Sequence, residues 1–189
     1  MQILAFLLEV VFGLLAGACL LRLFMQRLRV PFGNPAGRFV MAVSNWLVLP
    51  LRRLLPSVAG WDTSSLLAAW LLALAHHLLL WGAAQLSSGA GLGGFGVVAL
   101  LVLASFELLR LLLSGLFALF LLSAVLSWLP GGSPISDVVD HLCAPLLRPL
   151  RRLIPLVGGI DLSPLVAIVL VQIAQMLLNG LQASVLRLL

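Results

Sequence analysis

Four apolar runs in this chain are each long enough to cross a bilayer: Ile3 to Leu23, Ser64 to Leu86, Gly96 to about Leu122, and Leu165 to Leu186. A helix needs about 20 apolar residues to span the hydrocarbon core. Of the 189 residues, 62% are hydrophobic and 9% charged, whereas a soluble domain is about 45–50% apolar and about 25% charged. There is too little polar material to cover a water-exposed surface. That excludes a soluble enzyme, a disordered chain and a nucleic-acid-binding domain. The first run has nothing basic before Arg22. Its string Ala16-Gly17-Ala18-Cys19 faintly matches a lipoprotein cleavage site, yet the basic residues after the run read as a retained anchor. Cys19 and Cys143 have no CxxC spacing, and Cys19 reads as a small packed hydrophobe.

The chain also repeats itself. A shift of 99 residues lays Pro50-Leu51-Arg52-Arg53-Leu54-Leu55-Pro56 on Pro149-Leu150-Arg151-Arg152-Leu153-Ile154-Pro155. It also lays Gly60-Trp61-Asp62 on Gly159-Ile160-Asp161, and 14 of the 32 positions between 31–62 and 130–161 are identical without a gap. Leucine bias alone does not align prolines, an arginine pair and an aspartate. The expected fold is all-α: four transmembrane helices in two units, 1–95 and 96–189, each reading span, connector, span. Because each unit holds an even number of spans, the second enters the membrane from the same side as the first, so these are parallel repeats.

All eleven basic residues are arginine, against six acidic ones, for a net charge of +5. Arg27, Arg29, Arg38, Arg52 and Arg53 lie in the first connector, with Arg22 at its edge; Arg148, Arg151 and Arg152 lie in the second. The loop Ser87 to Phe95 carries no charge. By the positive-inside bias, both connectors are expected in the cytoplasm, with both termini and the middle loop outside. Within the connectors, 35–49 and 134–147 are predicted as amphipathic surface helices. Phe39, Val43, Trp46 and Leu47 mark the apolar face of one; Ile135, Val138, Val139, Leu142 and Leu146 mark the other. Proline opens each helix, where its missing N–H costs nothing, and Pro50 and Pro149 are expected to limit them.

The segment NPAGRFVMAVSNWLVLPLRRLLP-x3-G-x-D (Asn34 to Asp62) and its second copy SPISDVVDHLCAPLLRPLRRLIP-x3-G-x-D (Ser133 to Asp161) resemble the YggT repeat, a family also called YlmG. The resemblance covers nearly the whole chain, and two repeats in one chain resemble the proteobacterial form, an inner-membrane protein. It implies a role of the kinds associated with that family: osmotic-stress tolerance and cation uptake, division-associated roles, or plastid cytochrome maturation and nucleoid distribution. The copies differ: Asn34 stands against Ser133, and the first amphipathic stretch is basic where the second is acidic. That difference points to divergence in partner.

Three groups of residues are candidates for chemistry. Arg52, Arg53, Arg151 and Arg152 read as a surface for anionic headgroups or a soluble partner. Snorkelling to phosphates accounts for them equally well, at about 1 kcal/mol per Arg. Asp62 and Asp161 are placed to cap the spans that follow. Inside the apolar runs lie Glu9, His76, His77, Glu107 and Arg110, which are costly there and functional candidates by default. At 1.5 Å per residue, Glu9, His76 and Glu107 lie roughly 10, 13 and 16 Å from the outer boundary, a depth at which they can converge. Glu107 and Arg110 are spaced to pair along one helix. Gln172, Gln175, Asn179 and Gln182 form a polar stripe on the last span, suited to contacts between helices or between protomers of a homo-oligomer, or to lining a polar passage. Gly13 and Gly17 form a GxxxG, a weak sign of close helix contact.

No metal or cofactor is expected. His76 and His77 point about 100° apart on a helix, and no ligand-spacing motif joins them. The GxGxxG at Gly91 to Gly96 lies in an uncharged loop outside any strand–helix unit, so it reads as a turn. No nucleophile–base constellation is present, which argues against an enzyme. Two functions remain. One is a membrane scaffold or assembly and stress-tolerance factor acting through its cytoplasmic arginines on anionic lipid or a membrane-protein partner. The other is a small transport or osmotic-response protein with a cation or proton path.

Overall fold

The computed structural model describes residues 2–55, 60–88, 96–127, 134–153 and 161–188. They form six α-helices in the order span, connector, span, twice over: α1 (Gln2–Arg27), α2 (Pro35–Leu54), α3 (Thr63–Ser88), α4 (Val97–Leu126), α5 (Pro134–Leu153) and α6 (Ser163–Leu188). Helices α1, α3, α4 and α6 are long and apolar enough to cross a membrane. At 26 residues a helix is about 39 Å long, beyond the ~30 Å hydrocarbon core, so each span tilts or projects into the headgroups. The connector helices repeat with the sequence: both bounds of α5 lie 99 residues after those of α2. The loop 89–95, the motif ends Pro56 and Pro155, and Gly159 lie outside the described residues.

Local chemistry sets how α1 hands over to α2. The Arg29 N–H donates to the Gln26 carbonyl and the Val30 N–H to that of Met25, the paired bonds that close a helix through a left-handed residue. That residue is Arg29, at φ 55°. Val30 and Met25, both buried, meet beneath the turn. Asn34 then starts α2: its Oδ1 accepts from the Gly37 N–H at 2.7 Å, satisfying a donor the helix leaves open. Gly37 is sterically required, because a Cβ there would lie 2.6 Å from the Phe32 Cα.

α1 packs mainly on α3 and α4 on α6, while α3 against α4 joins the two repeats. Each repeat has its own core. Ala16, Cys19, Leu20, Val48, Ala68 and Ala69 fill the first; Phe120, Val139, Cys143, Leu147 and Ala167 fill the second. A third cluster, Met25, Val30, Val40, Val138 and Leu142, ties the two connector helices together at one end of the bundle. Small residues, not large ones, make the close contact between α1 and α3, as expected where lipid offers no hydrophobic drive between helices. The alanines Ala16, Ala68 and Ala69 do this. Gly13 and Gly17 do not, since a Cβ on Gly17 would meet nothing within 4 Å.

The connector helices run further than their prolines led one to expect. α2 continues through Pro50 to Leu54, and α5 through Pro145 and Pro149 to Leu153. An interior proline costs a hydrogen bond and about 3 kcal/mol. All three prolines are exposed, as are Trp46, His141 and Pro145 four residues before them, so each break falls on the outer face of its helix. The extra turn carries Arg52 and Arg151, whose contacts with Asp62 and Asp161 hold it.

Two substitutions test these turns by opposite shifts in thermal unfolding in detergent. Arg29→Gly relieves the left-handed strain and is expected to stabilise by about 1 kcal/mol. Gly37→Ala is expected to destabilise by about 1–3 kcal/mol, because the added Cβ meets backbone that cannot yield.

Candidate functional site

The repeated motif builds a clamp between connector and span. Gly60 takes φ +80°, a conformation open to glycine, and turns the chain so that Asp62 comes under α2. Arg52 Nη2 donates to Asp62 Oδ2 at 2.7 Å, as does the Ser65 hydroxyl. Asp62 is buried while half of Arg52 stays covered. A second guanidinium approaches the same oxygen: Arg22 Nε lies 3.8 Å away, and its side chain is 2% exposed. Arg22 also donates to Ser44 Oγ at 2.9 Å and Asn45 Oδ1 at 2.8 Å, so one arginine ties α1, α2 and the start of α3. Arg52 reaches Gln26 as well, and Arg27 lies over the Trp61 ring at 5.2 Å, a favourable cation–π arrangement.

The second repeat keeps only the motif's own pair. Arg151 Nε donates to Asp161 Oδ2 at 2.7 Å, and Asp161 Oδ1 accepts from the Ser163 N–H at 2.9 Å. The side chain of Asp161 therefore caps α6. That of Asp62 does not cap α3 in this way, being taken up by Arg52 and Ser65, and its backbone carbonyl accepts from Ser65 and Leu66 instead. At the positions 99 residues after Arg22, Ser44 and Asn45 stand Leu121, Cys143 and Ala144. The buried arginine and both its polar partners are lost together, as they must be, since either half alone would leave an unpaired buried group. Partial burial pushes the Asp161 carboxyl up, but hydrogen bonds from Ser163 and the Arg151 charge outweigh it and hold the carboxyl below its usual range. This clamp is intact above the ordinary carboxylate pKa and is lost as pH falls through the depressed value.

The second arginine of each pair is different. Arg53 and Arg152 are exposed and have no partner among the described residues. Arg148 is exposed too and lines a shallow cavity with Asp140, His141 and Arg151.

A second polar site lies midway along the spans. His76 Nδ1 is 2.9 Å from Glu107 Oε1, and His77 Nε2 is 2.6 Å from Glu107 Oε2. His76 is 5% exposed and stacks on Phe12 of α1, with ring centroids 5.8 Å apart. One turn further along α4, Arg110 donates to Asn179 Oδ1 at 3.3 Å and Gln182 Oε1 at 2.6 Å, and Gln175 donates to Ser114. The expected Glu107–Arg110 pair is not formed. The two residues sit about 60° apart around α4, but neighbouring helices claim them separately: α3 brings histidines to Glu107 and α6 brings amides to Arg110. Nor do Glu9 and Gln172 turn toward another helix. Both are exposed, because they lie on faces of α1 and α6 turned from the bundle; Val171, beside Gln172, is buried in the second core. His76 and His77, both named among the intramembrane candidates, diverge as adjacent helical residues do, yet Nδ1 of one ring and Nε2 of the next reach a single carboxylate. Arg22, Ser44 and Asn45 were also missed; the one signal was an arginine closing an apolar run.

These features define a multi-pass helical membrane protein made of two span–connector–span units. The family model described as CCB3/YggT matches residues 1–83 and 102–182. The YggT protein of Escherichia coli K12 is 36% identical over 93% of this chain and 89% of its own length. A Pseudomonas aeruginosa protein is 35% identical over 87% and 82%, and one from Vibrio alginolyticus 33% over 96% of both. The chain belongs to the CCB3/YggT family. These relatives are described as uncharacterised, and no catalytic role is known for them. No solved structure matches.

The two clamps differ in burial, and so in cost of loss. Asp62→Asn strands the buried Arg22 and is expected to destabilise by about 3–5 kcal/mol. Asp161→Asn keeps the cap and loses only a partly exposed pair, worth about 1 kcal/mol or less. Chemical unfolding of the two variants in one detergent checks the order.

Proposed function

We propose that this protein is a non-enzymatic inner-membrane scaffold whose two connector helices, held on the cytoplasmic side, present arginines to anionic headgroups and to a membrane-protein partner. The observation that carries this reading is the division of labour in the repeated arginine pair. Arg52 and Arg151 are spent on Asp62 and Asp161, leaving Arg53 and Arg152 exposed on a helix end that those clamps hold still. A positive-inside signal needs charge alone and gains nothing from a fixed turn. A docking surface does gain, because ordering its charges beforehand lowers the cost of binding. The basic stretch 35–49 of α2 and the acidic stretch 134–147 of α5 suit different partners, consistent with an assembly or stress-tolerance role. Both termini then lie outside.

A second reading, a cation or proton path serving osmotic response, draws on the His76–His77–Glu107 cluster. Ionisable groups midway through a bilayer are found where they are paired or where they serve transport.

Native mass spectrometry with bound anionic phospholipid separates lipid contact from structure. Arg53→Gln with Arg152→Gln is expected to weaken anionic lipid binding by about 2 kcal/mol, roughly 30-fold, with unfolding unchanged. Arg52→Gln with Arg151→Gln is expected to lower stability instead. If cells relying on the Arg53→Gln, Arg152→Gln protein grow normally at high osmolarity and crosslinking from their membranes retains the same partners, the scaffold reading fails.

A further inference from the structure

The His76–His77–Glu107 cluster has a donor set that a self-contained ion pair does not need. Two imidazoles and one carboxylate meet between α3 and α4, and one ligand atom from each lies within 4.8 Å of the others. His76 Nδ1 meets Glu107 Oε1 in a hydrogen bond at 2.9 Å. His77 Nε2 is nearer its oxygen, at 2.6 Å, yet it makes no hydrogen bond there and is buried without one anywhere. Its approach is close but off the axis along which an N–H would donate. A nitrogen left this way in hydrocarbon costs about 1–3 kcal/mol.

We propose that His76, His77 and Glu107 form a binding site for a divalent cation of the zinc class. Two imidazoles with a carboxylate suit Zn²⁺, Fe²⁺ or Co²⁺, whereas Mg²⁺ and Ca²⁺ take oxygen donors. A tetrahedral Zn²⁺ with ligands at 2.0–2.2 Å holds its donors about 3.3–3.5 Å apart. The nitrogen-to-oxygen distances of 2.9 and 2.6 Å are shorter, so a cation enters as the Glu107 carboxylate draws back from both rings, among donor atoms that all lie within 4.8 Å of one another. Adjacent histidines diverge on their helix, and the site resolves this by using different ring nitrogens, the near Nδ1 of His76 and the far Nε2 of His77. Stacking on Phe12 holds the His76 ring from the third helix.

Three protein donors leave one tetrahedral position open. Glu107 supplies one of the two negative charges that balance a divalent ion, which reduces the cost of holding that ion in a low-dielectric setting. This inference rests on the cluster and stands apart from the scaffold reading.

The test uses the full chain, without a histidine tag, stripped of metal and placed in nanodiscs of neutral phospholipid. Co²⁺ is the first probe. The expected result is one Co²⁺ per chain with the intense visible absorption of a low-coordinate nitrogen and oxygen site, displaced by Zn²⁺. His77→Asn and Glu107→Gln are each expected to weaken binding by about 100-fold or more, since even outer-shell changes cost 10–100-fold. His141→Gln, in the exposed histidine of α5, is expected to change nothing. X-ray absorption of the Zn²⁺-loaded wild-type chain needs no variant and is expected to show two imidazole ligands, so the proposal stays testable where a variant fails to fold. Absent or sub-stoichiometric binding, a six-coordinate surface-type spectrum, zinc without imidazole scattering, or unchanged affinity in a folded Glu107→Gln protein would each overturn it.

Discussion

A single carboxylate oxygen, Asp62 Oδ2, receives two guanidinium groups and a hydroxyl where the first connector returns to the membrane. Taking charges out of water costs several kcal/mol each, and the cost is recovered only where geometry is close and the remaining polar atoms are bonded. Arg22 meets that condition through Ser44 and Asn45. Such a site adds modest net stability over an apolar replacement. What it does supply is position, because a connector that slipped by one turn would leave buried charges alone. The long reach of α2 past Pro50, the fixed G-x-D turn and the exposure of Arg53 all follow from that constraint.

The second repeat reaches the same geometry with less polar material. Arg151 and Asp161 are more exposed than Arg52 and Asp62, and the positions of Arg22, Ser44 and Asn45 are taken by Leu121, Cys143 and Ala144, of which Cys143 is buried. Cys143 packs as a hydrophobe in the core beside Val139 and Leu147, and burial pushes its thiol up to about 11, which keeps it unreactive at neutral pH. One half is thus anchored by a buried ion network and the other by apolar packing. The two halves are joined between connectors by Met25, Val40, Val138 and Leu142. The polar groups in mid-span obey the same accounting of charge. Glu107 and Arg110 each find partners on the helix that faces them.

The spans were legible because hydrocarbon imposes a length and a composition that a sequence displays directly. The unit of span, connector and span was legible because proline, arginine and aspartate recur at one offset. The role of Arg52 was not, although its spacing from Asp62 was visible, because the same arginine pair also serves as a topology signal. Arg22 on α1 and its partners on α2 stand 22 and 23 residues apart, which no local pattern marks. The Glu107–Arg110 expectation failed for the opposite reason: spacing along one helix says two residues are near, while the flanking helices decide which way each turns. Pro50 and Pro149 misled because their effect depends on exposure.

Amide hydrogen exchange across α2 in lipid nanodiscs tests most directly whether Asp62 positions the connector. In the wild-type chain, amides of the last turn, Leu51 to Leu54, are expected to exchange as slowly as those at the middle of α2. In Asp62→Asn that turn is expected to exchange faster while the middle of α3 stays protected. Equal exchange of the last turn in both proteins would contradict the account.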